Sequence, residues 1–211
     1  PGARAKVPCN HIEVLGELGG AVSDWVPILP GLAADVEATW RAAAATRAQG
    51  GRFGWYVCCW PPRPNNFITS PALEGRMQGW LTAREGLDGF LRWAYTCWPA
   101  DPWGRPRYRD SSWPPGDMFL VYPGRDGRPV RSIRNEMLLA GIQDGELVRL
   151  AQERAAADPA VQQALEKALT LVLRADLGAF ADVERPAAEL YSVDAEDYEA
   201  ARRLLIAALA T

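Results

Sequence analysis

Residues 52–68, RFGWYVCCWPPRPNNFI, and residues 88–98, DGFLRWAYTCW, decide how this chain folds. Over 53–60 the side chains alternate: Phe53, Trp55, Val57 and Cys59 share one face, and Tyr56, Cys58 and Trp60 share the other. Apolar residues on both faces predict a strand covered on two sides, as in a parallel sheet. Residues 89–98 repeat the pattern, with Leu91, Trp93, Tyr95 and Cys97 set against Phe90, Arg92, Ala94, Thr96 and Trp98. Both runs end in aromatic residues. The loop 61–68 that follows the first is stiff and polar at once, with three prolines and the pair Asn65-Asn66.

Working outward, 6–15 and 21–29 have the apolar, β-branched character of strands, the second leaving at Pro27 and Pro30 with Asp24 and Trp25 toward its carboxyl end. Leu32, Val36, Trp40 and Ala43 recur at helical spacing and Gly50-Gly51 stop that helix, which makes Trp40 a core residue. Ser70-Pro71 predicts a helix start, Leu73, Met77, Trp80 and Leu81 its buried stripe, and Gly86 its end. A long loop rich in proline and tryptophan covers 99–116, and 118–129 predicts a short extended excursion. Helices follow from Ser132 to about 156, from Asp158-Pro159 to about Gly178, and from about Asp194 onward. The alternation of strand and helix is that of parallel β/α units. Only three or four such units fit, whereas a complete eight-unit barrel needs roughly 250 residues. No Gly-rich phosphate loop marks any strand-to-helix turn.

Composition narrows the function classes. The chain has 211 residues, 48% hydrophobic and 23% charged, enough for one core. A net charge of −3 offers no electrostatic footprint for nucleic acid or an anionic membrane, and no long apolar run spans a bilayer. Cys9, Cys58, Cys59 and Cys97 lack CxxC spacing and have only His11 to help them, so neither a metal nor another cofactor is expected. Cys58 and Cys59, adjacent in a strand, are expected on opposite faces as buried free thiols. All nine tryptophans lie between Trp25 and Trp113, so the aromatic chemistry is confined to the front of the chain. The start at Pro1, without Met, is taken as that of a piece of a longer protein.

Trp55-Tyr56, Asn65-Asn66-Phe67-Ile68, Pro71, Arg76 and Asp88-Gly89-Phe90-Leu91 with Trp93 and Trp98 resemble the catalytic region of glycoside hydrolase family 123 and its uncharacterised relatives. Asp24-Trp25-Val26-Pro27 upstream continues the resemblance, as do Asp101-Pro102-Trp103, Leu120-Val121-Tyr122-Pro123-Gly124, Ser132-Ile133-Arg134 and Gly141-Ile142-Gln143-Asp144 downstream. It extends over roughly 20–155 as an ordered series. The resemblance implies an α/β fold: the C-terminal part of a TIM-type β/α barrel over 1–156, completed by an N-terminal half as its partner, with packing helices over 157–211. It also implies a β-N-acetylgalactosaminidase activity in which the sugar's acetamido oxygen attacks the anomeric carbon. That scheme departs from the use of two enzyme carboxylates. The family's acid and its neighbour form an adjacent Asp-Glu pair, and no such dipeptide occurs in this sequence, so no catalytic residue is assigned.

What remains is a substrate-binding wall for carbohydrate. The apolar C–H face of a sugar packs on an aromatic ring while its edge keeps hydroxyls for hydrogen bonding. Trp25, Tyr56, Trp93 and Trp98 are placed at carboxyl ends of strands, where barrel sites form. Tyr56 is expected to donate to the acetamido region, Trp93 to wall its pocket, and Asn65 and Asn66 to bind hydroxyls or shape the turn. Arg76 and Arg134 are expected to form structural ion pairs. Thr96 and Arg92 depart from the family's pattern, which leaves room for a different sugar. A non-catalytic carbohydrate-binding chain and a truncated product without autonomous function are the alternatives.

Overall fold

The alternating stretches do become parallel strands. The computed structural model describes residues 4–18, 21–107 and 113–210; the expectations about the start at Pro1 and the middle of the 99–116 loop fall outside them. Strands β1 (Lys6–Cys9) and β2 (Asp24–Pro27) pair in parallel, and β3 (Arg52–Phe53) lies on the other side of β2. Strand β4 (Trp55–Val57) continues the line of β3 and pairs in parallel with β5 (Phe90–Arg92). The Gly54 N–H donates to the Trp25 carbonyl at 2.9 Å, and a bridge joins Ile28 to Tyr56. A Cβ at Gly54 would stand 2.7 Å from the Gly89 carbonyl oxygen, so glycine lets the chain cross from one neighbour to the other here.

Four parallel strand positions thus stand side by side in chain order. A doubly wound sheet reverses its order at a switch point, and this array does not. Among the described residues no strand closes it into a barrel, so what is seen is an open α/β array.

Helices α1 (Val14–Leu18), α2 (Leu29–Ala34), α3 (Val36–Ala48) and α4 (Leu73–Arg84) follow the strands. Trp25, Phe53, Trp55 and Val57 share one core with Leu32, Ala43, Met77, Trp80 and Leu81 from these helices. The buried Trp55 Nε1 donates to Thr82 Oγ1 at 2.8 Å. Val26, Ile28 and Tyr56, with Cys58 and Leu91 against them, form a small cluster of their own. The two faces over 53–58 are those the spacing predicts. Trp40 is half-buried against the core and Trp80 lies fully inside it, as their helical spacing requires.

Strand lengths are shorter than the apolar runs. The expected strand 6–15 ends at Cys9, and α1 takes Val14 and Leu15; the expected 21–29 is paired only over Asp24–Pro27, and Leu29 opens α2. The expected 89–98 ends at Arg92, since residues 95–97 turn away to pair antiparallel with 118–120: Leu120 N–H donates to the Tyr95 carbonyl and Cys97 N–H to the Met118 carbonyl, each at 3.0 Å. The predicted excursion is a hairpin of β6 (Val121–Pro123) and β7 (Pro129–Arg131). Ser70 does not cap α4, because its hydroxyl instead accepts from Phe67 N–H at 3.2 Å.

Helices α5 (Ile133–Ala155), α6 (Pro159–Val172), α7 (Ala187–Leu190) and α8 (Ala195–Leu209) complete the chain, with a 3₁₀ turn at Leu177–Ala181. Ser132, Asp158 and Asp194 cap α5, α6 and α8 by accepting from first-turn N–H groups. Val161, Leu165, Ala168 and Val172 of α6 and Tyr198, Ala201 and Leu205 of α8 belong to the same core as the strands. The buried Asp144 of α5 accepts from Arg76 Nε at 2.6 Å, Trp80 Nε1 at 2.9 Å and Arg202 at 2.6 Å, so Arg76 is the structural ion-pair former expected of it.

Helices α4 and α5 meet backbone to backbone. A Cβ on Gly79 would stand 1.8 Å from the Gly141 carbonyl oxygen, and one on Gly141 would stand 2.5 Å from that of Arg76. Gly79→Ala is therefore expected to lower stability by about 3 kcal/mol or more, overriding the roughly 1 kcal/mol that alanine gains in a helix. Gly16→Ala in α1, where a Cβ meets nothing within 4 Å, should leave the chain unchanged or slightly more stable. Chemical unfolding of the two variants checks the opposite signs.

Candidate functional site

The carboxyl ends of the parallel strands are followed by Asn10, Ile28, Cys58 and Trp93. The register Val57↔Arg92 sets Cys58 and Trp93 side by side as the first residues past the paired ends of β4 and β5. Tyr56 is buried, and its hydroxyl donates to Asn10 Oδ1 at 2.6 Å. Burial and the nearby thiols of Cys58, Cys9 and Cys59 push its phenol up to about 12, which keeps it protonated near neutral pH.

Arg92 clamps this end of the sheet. One guanidinium nitrogen donates to the carbonyls of Val57 and Cys58 at 2.8 and 3.0 Å. The other donates to the Asp117 carbonyl at 2.9 Å and pairs with its carboxylate. Both partners are almost fully buried; burial pulls the guanidinium down from its usual range and pushes the Asp117 carboxyl up. Arg92 Nε and Asp117 Oδ2 have no hydrogen-bond partner. The pair ties the ends of β4 and β5 to the 113–120 segment, and Phe67 lies 5.7 Å from the guanidinium carbon.

Aromatic rings rim these loops. Trp93 is 49% exposed with its ring centre 6.0 Å from that of Trp113, and Trp60 is 44% exposed. Trp98 keeps an open face while its Nε1 donates to the Val121 carbonyl at 2.7 Å. Tyr95 donates to Asn135 Oδ1 at 2.7 Å, and Trp103 stacks on Tyr122 at 4.4 Å. Large exposed rings, those of Trp98, Tyr95 and Trp103 held by their polar atoms, thus crowd the loops past the strand ends.

Residues 9–151 match the model of the glycoside hydrolase 123 catalytic domain. The chain belongs to that family. Its fold is similar to a solved family 123 glycoside hydrolase from Clostridium perfringens, studied for glycolipid glycan hydrolysis, with a TM-score of 0.62 and 19% identity. That likeness covers 98% of this chain and 34% of the other, so this chain spans about a third of that enzyme's length. No curated protein matches it.

Within this family 123 domain the expected wall residues part company. Trp93 and Trp98 are at the rim and Tyr56 lies beneath it. Trp25 is the second residue of β2 rather than near its carboxyl end. It is 3% exposed in the helix-side core and lines a groove of about 380 Å³ with Ile12, Ala38 and Thr46. Asn65 and Asn66 are each 1% exposed and committed internally. Asn65 Nδ2 donates to the carbonyls of Pro61 at 2.6 Å and Cys58 at 2.9 Å, and Asn66 Oδ1 accepts from Gln78 at 3.0 Å. Of the two roles open to the asparagines, these bonds are those of turn-shaping. Among the described residues Arg134 forms no ion pair: it donates to the carbonyls of Asn66 and Gly116, both at 2.8 Å, and stacks over Phe119.

Asn10, Asp117 and the Cys58-Cys59 bend were not marked as site features by sequence reasoning. Asn10 carried the one available signal, a polar amide directly after a strand. Asp117 carried none, for its partner lies 25 positions away. His11, Glu13 and Glu17 are exposed; of the Glu196-Asp197 pair that opens α8, Glu196 is exposed and paired with Arg203, whereas Asp197 is half-buried, accepting from the Ser192 hydroxyl and pairing with Arg174 at 3.3 Å. Among the described residues no group of three or more His, Cys, Asp or Glu side chains is arranged to hold a metal ion, and no helix is long and apolar enough to cross a membrane.

Two outcomes follow from the asparagine loop. Asn65→Ala strands the Pro61 carbonyl and the buried Asn66 N–H, which donates to Asn65 Oδ1 at 2.8 Å, and is expected to cost about 1–3 kcal/mol in a denaturant titration. Beside it, Glu74 accepts from Asn65 N–H at 2.7 Å and from Tyr191 hydroxyl at 2.7 Å, and burial holds its carboxyl above the usual 4.5. The folded chain therefore binds this proton more tightly than the unfolded one. Glu74's contribution is full below the unfolded value and declines as pH rises through the raised folded value. Glu74→Gln should flatten that decline in melting temperature measured against pH.

Proposed function

We infer that this chain supplies the substrate-holding wall of a glycan-cleaving site whose sugar is an N-acetylhexosamine. The observation that carries this is the set of exposed rings, Trp60, Trp93 and Trp98, on the loops past β4 and β5, above a buried Tyr56 and in a chain of this family. Parallel strands in chain order match a sector of a β/α barrel, and further strands of a longer protein would close it. Glycans of the glycolipid type, the subject of the Clostridium perfringens structure, are one substrate class consistent with such a wall.

In this reading the sugar's acetamido oxygen is the nucleophile, and the wall holds the ring so that this oxygen lies against the anomeric carbon. Positioning of that kind converts a two-body encounter into an intramolecular one. Trp93 presents an apolar face to the ring. Tyr56, neutral and already bonded to Asn10, steadies the floor through its hydroxyl oxygen, which can still accept. The acid that protonates the leaving oxygen and the carboxylate that orients the acetamido group form an adjacent Asp-Glu pair in the family, and this sequence contains no such dipeptide. That favours a second reading for the polypeptide by itself: glycan binding without hydrolysis.

Titration of the folded chain with N-acetylgalactosamine and with galactose tests both readings. The acetamido sugar is expected to bind more tightly. Trp93→Ala should weaken it about 3- to 10-fold, the scale of one aromatic face. A cooperatively folded chain that binds neither sugar sinks the wall, and equal binding of the two sinks the acetamido assignment.

A further inference from the structure

Cys58 and Cys59 follow the carboxyl end of β4, and their Sγ atoms lie 3.9 Å apart. Adjacent residues in a strand point to opposite faces, so the expectation of two separated, buried thiols fails here. The reason is a bend that starts once β4 ends at Val57. Cys58 N–H donates to the Trp60 carbonyl at 3.0 Å, and the Cys58 thiol points at the same oxygen at 3.5 Å. The Cys58 carbonyl is pinned from two sides, by Asn65 Nδ2 at 2.9 Å and by Arg92 at 3.0 Å. Buried groups therefore hold the peptide between the cysteines, while the Cys58 side chain is half-buried and Cys59 is exposed.

We propose that Cys58 and Cys59 form a vicinal dithiol at the mouth of the site, which low-molecular-weight disulfides convert into a cyclic disulfide. The Cys59 thiolate, the more accessible, attacks one sulfur of the small disulfide and releases one small thiolate. The Cys58 thiolate then attacks the Cys59 sulfur of the mixed disulfide and releases the second. One S–S bond breaks and one forms. The two cysteine protons end on the two small thiols, and the protein loses the two electrons that the oxidant gains.

Two properties follow from the geometry. Neighbouring Cα atoms are about 3.8 Å apart, below the roughly 4.4–6.8 Å that disulfides usually span, so the ring is strained and easily reduced. Burial and the adjacent Cys58 push the Cys59 thiol up to about 11, so the thiolate is scarce at neutral pH and closure speeds up in mildly alkaline buffer. Cys9 is buried in the helix-side core.

The test uses the whole chain. It is incubated with excess oxidised glutathione in mildly alkaline buffer, quenched with acid, denatured, labelled with N-ethylmaleimide and weighed intact. The expected product has lost the mass of two hydrogen atoms and takes up label at Cys9 and Cys97 only, out of four cysteines. Mild dithiothreitol restores labelling at all four. Cys58→Ser and Cys59→Ser should each retain one glutathione on the remaining cysteine, because the resolving thiol is gone. Full labelling of the oxidised wild-type chain overturns the proposal. So does glutathione retained at either position, or a bond from either cysteine to Cys9, to Cys97 or to a second chain.

Discussion

The stretch 52–57 is the member of the array on which its neighbours depend. It pairs with β2 through Arg52 and Phe53 and with β5 through Trp55 to Val57, and Gly54 lets the backbone pass from one to the other against the Gly89 carbonyl. Its two apolar faces do different work. Phe53, Trp55 and Val57 hold the helices, whereas Tyr56 and Cys58 face a small separate cluster. A polar residue at any of these positions would leave one layer without a surface to bury.

The helical layer is held by two further constraints that sequence spacing does not announce. Helices α4 and α5 touch through glycine backbones, and Asp144 gathers Arg76, Trp80 and Arg202 around one buried carboxylate. Removing the Asp144 carboxylate would leave the buried Arg76 with only the half-exposed Glu199 as its partner, a change of the kind that costs about 3–5 kcal/mol where no partner remains. Because α6 and α8 share this core, the plain helical back of the chain is part of what keeps the strands in place.

At the strand ends the same economy makes the loops into a surface. Arg92 draws the ends of β4 and β5 and the 113–120 segment together through backbone carbonyls, so the rings of Trp60, Trp93 and Trp98 stand on loops whose bases are tied down. Burial of Asn65 and Asn66 serves the same end. The Asn65 amide satisfies two backbone carbonyls and the Asn66 amide holds Gln78 of α4, which stiffens the base on which the exposed rings stand.

Much of the fold was legible from residues alone. Two-faced apolar alternation announced parallel strands, helical spacing placed Trp80 in the core and Trp40 against it, and Ser132 and Asp158 marked true helix starts. These are local signals, set by the periods of strand and helix. The end of each strand was not local: Arg92 ends β5 because 95–97 finds a partner at 118–120. That decided which aromatics reach the rim, putting Trp93 past the sheet and Trp25 in the core. Nor could spacing show that Asn10 meets Tyr56, that Asp117 meets Arg92, or that two neighbouring cysteines turn to face each other. The amino-acid sequence by itself determined the strand-and-helix order and the aromatic character of the front. Only the tertiary structure decided which polar groups are spent on backbone carbonyls and which side chains remain free, because those pairings join residues far apart in the chain and are settled by burial.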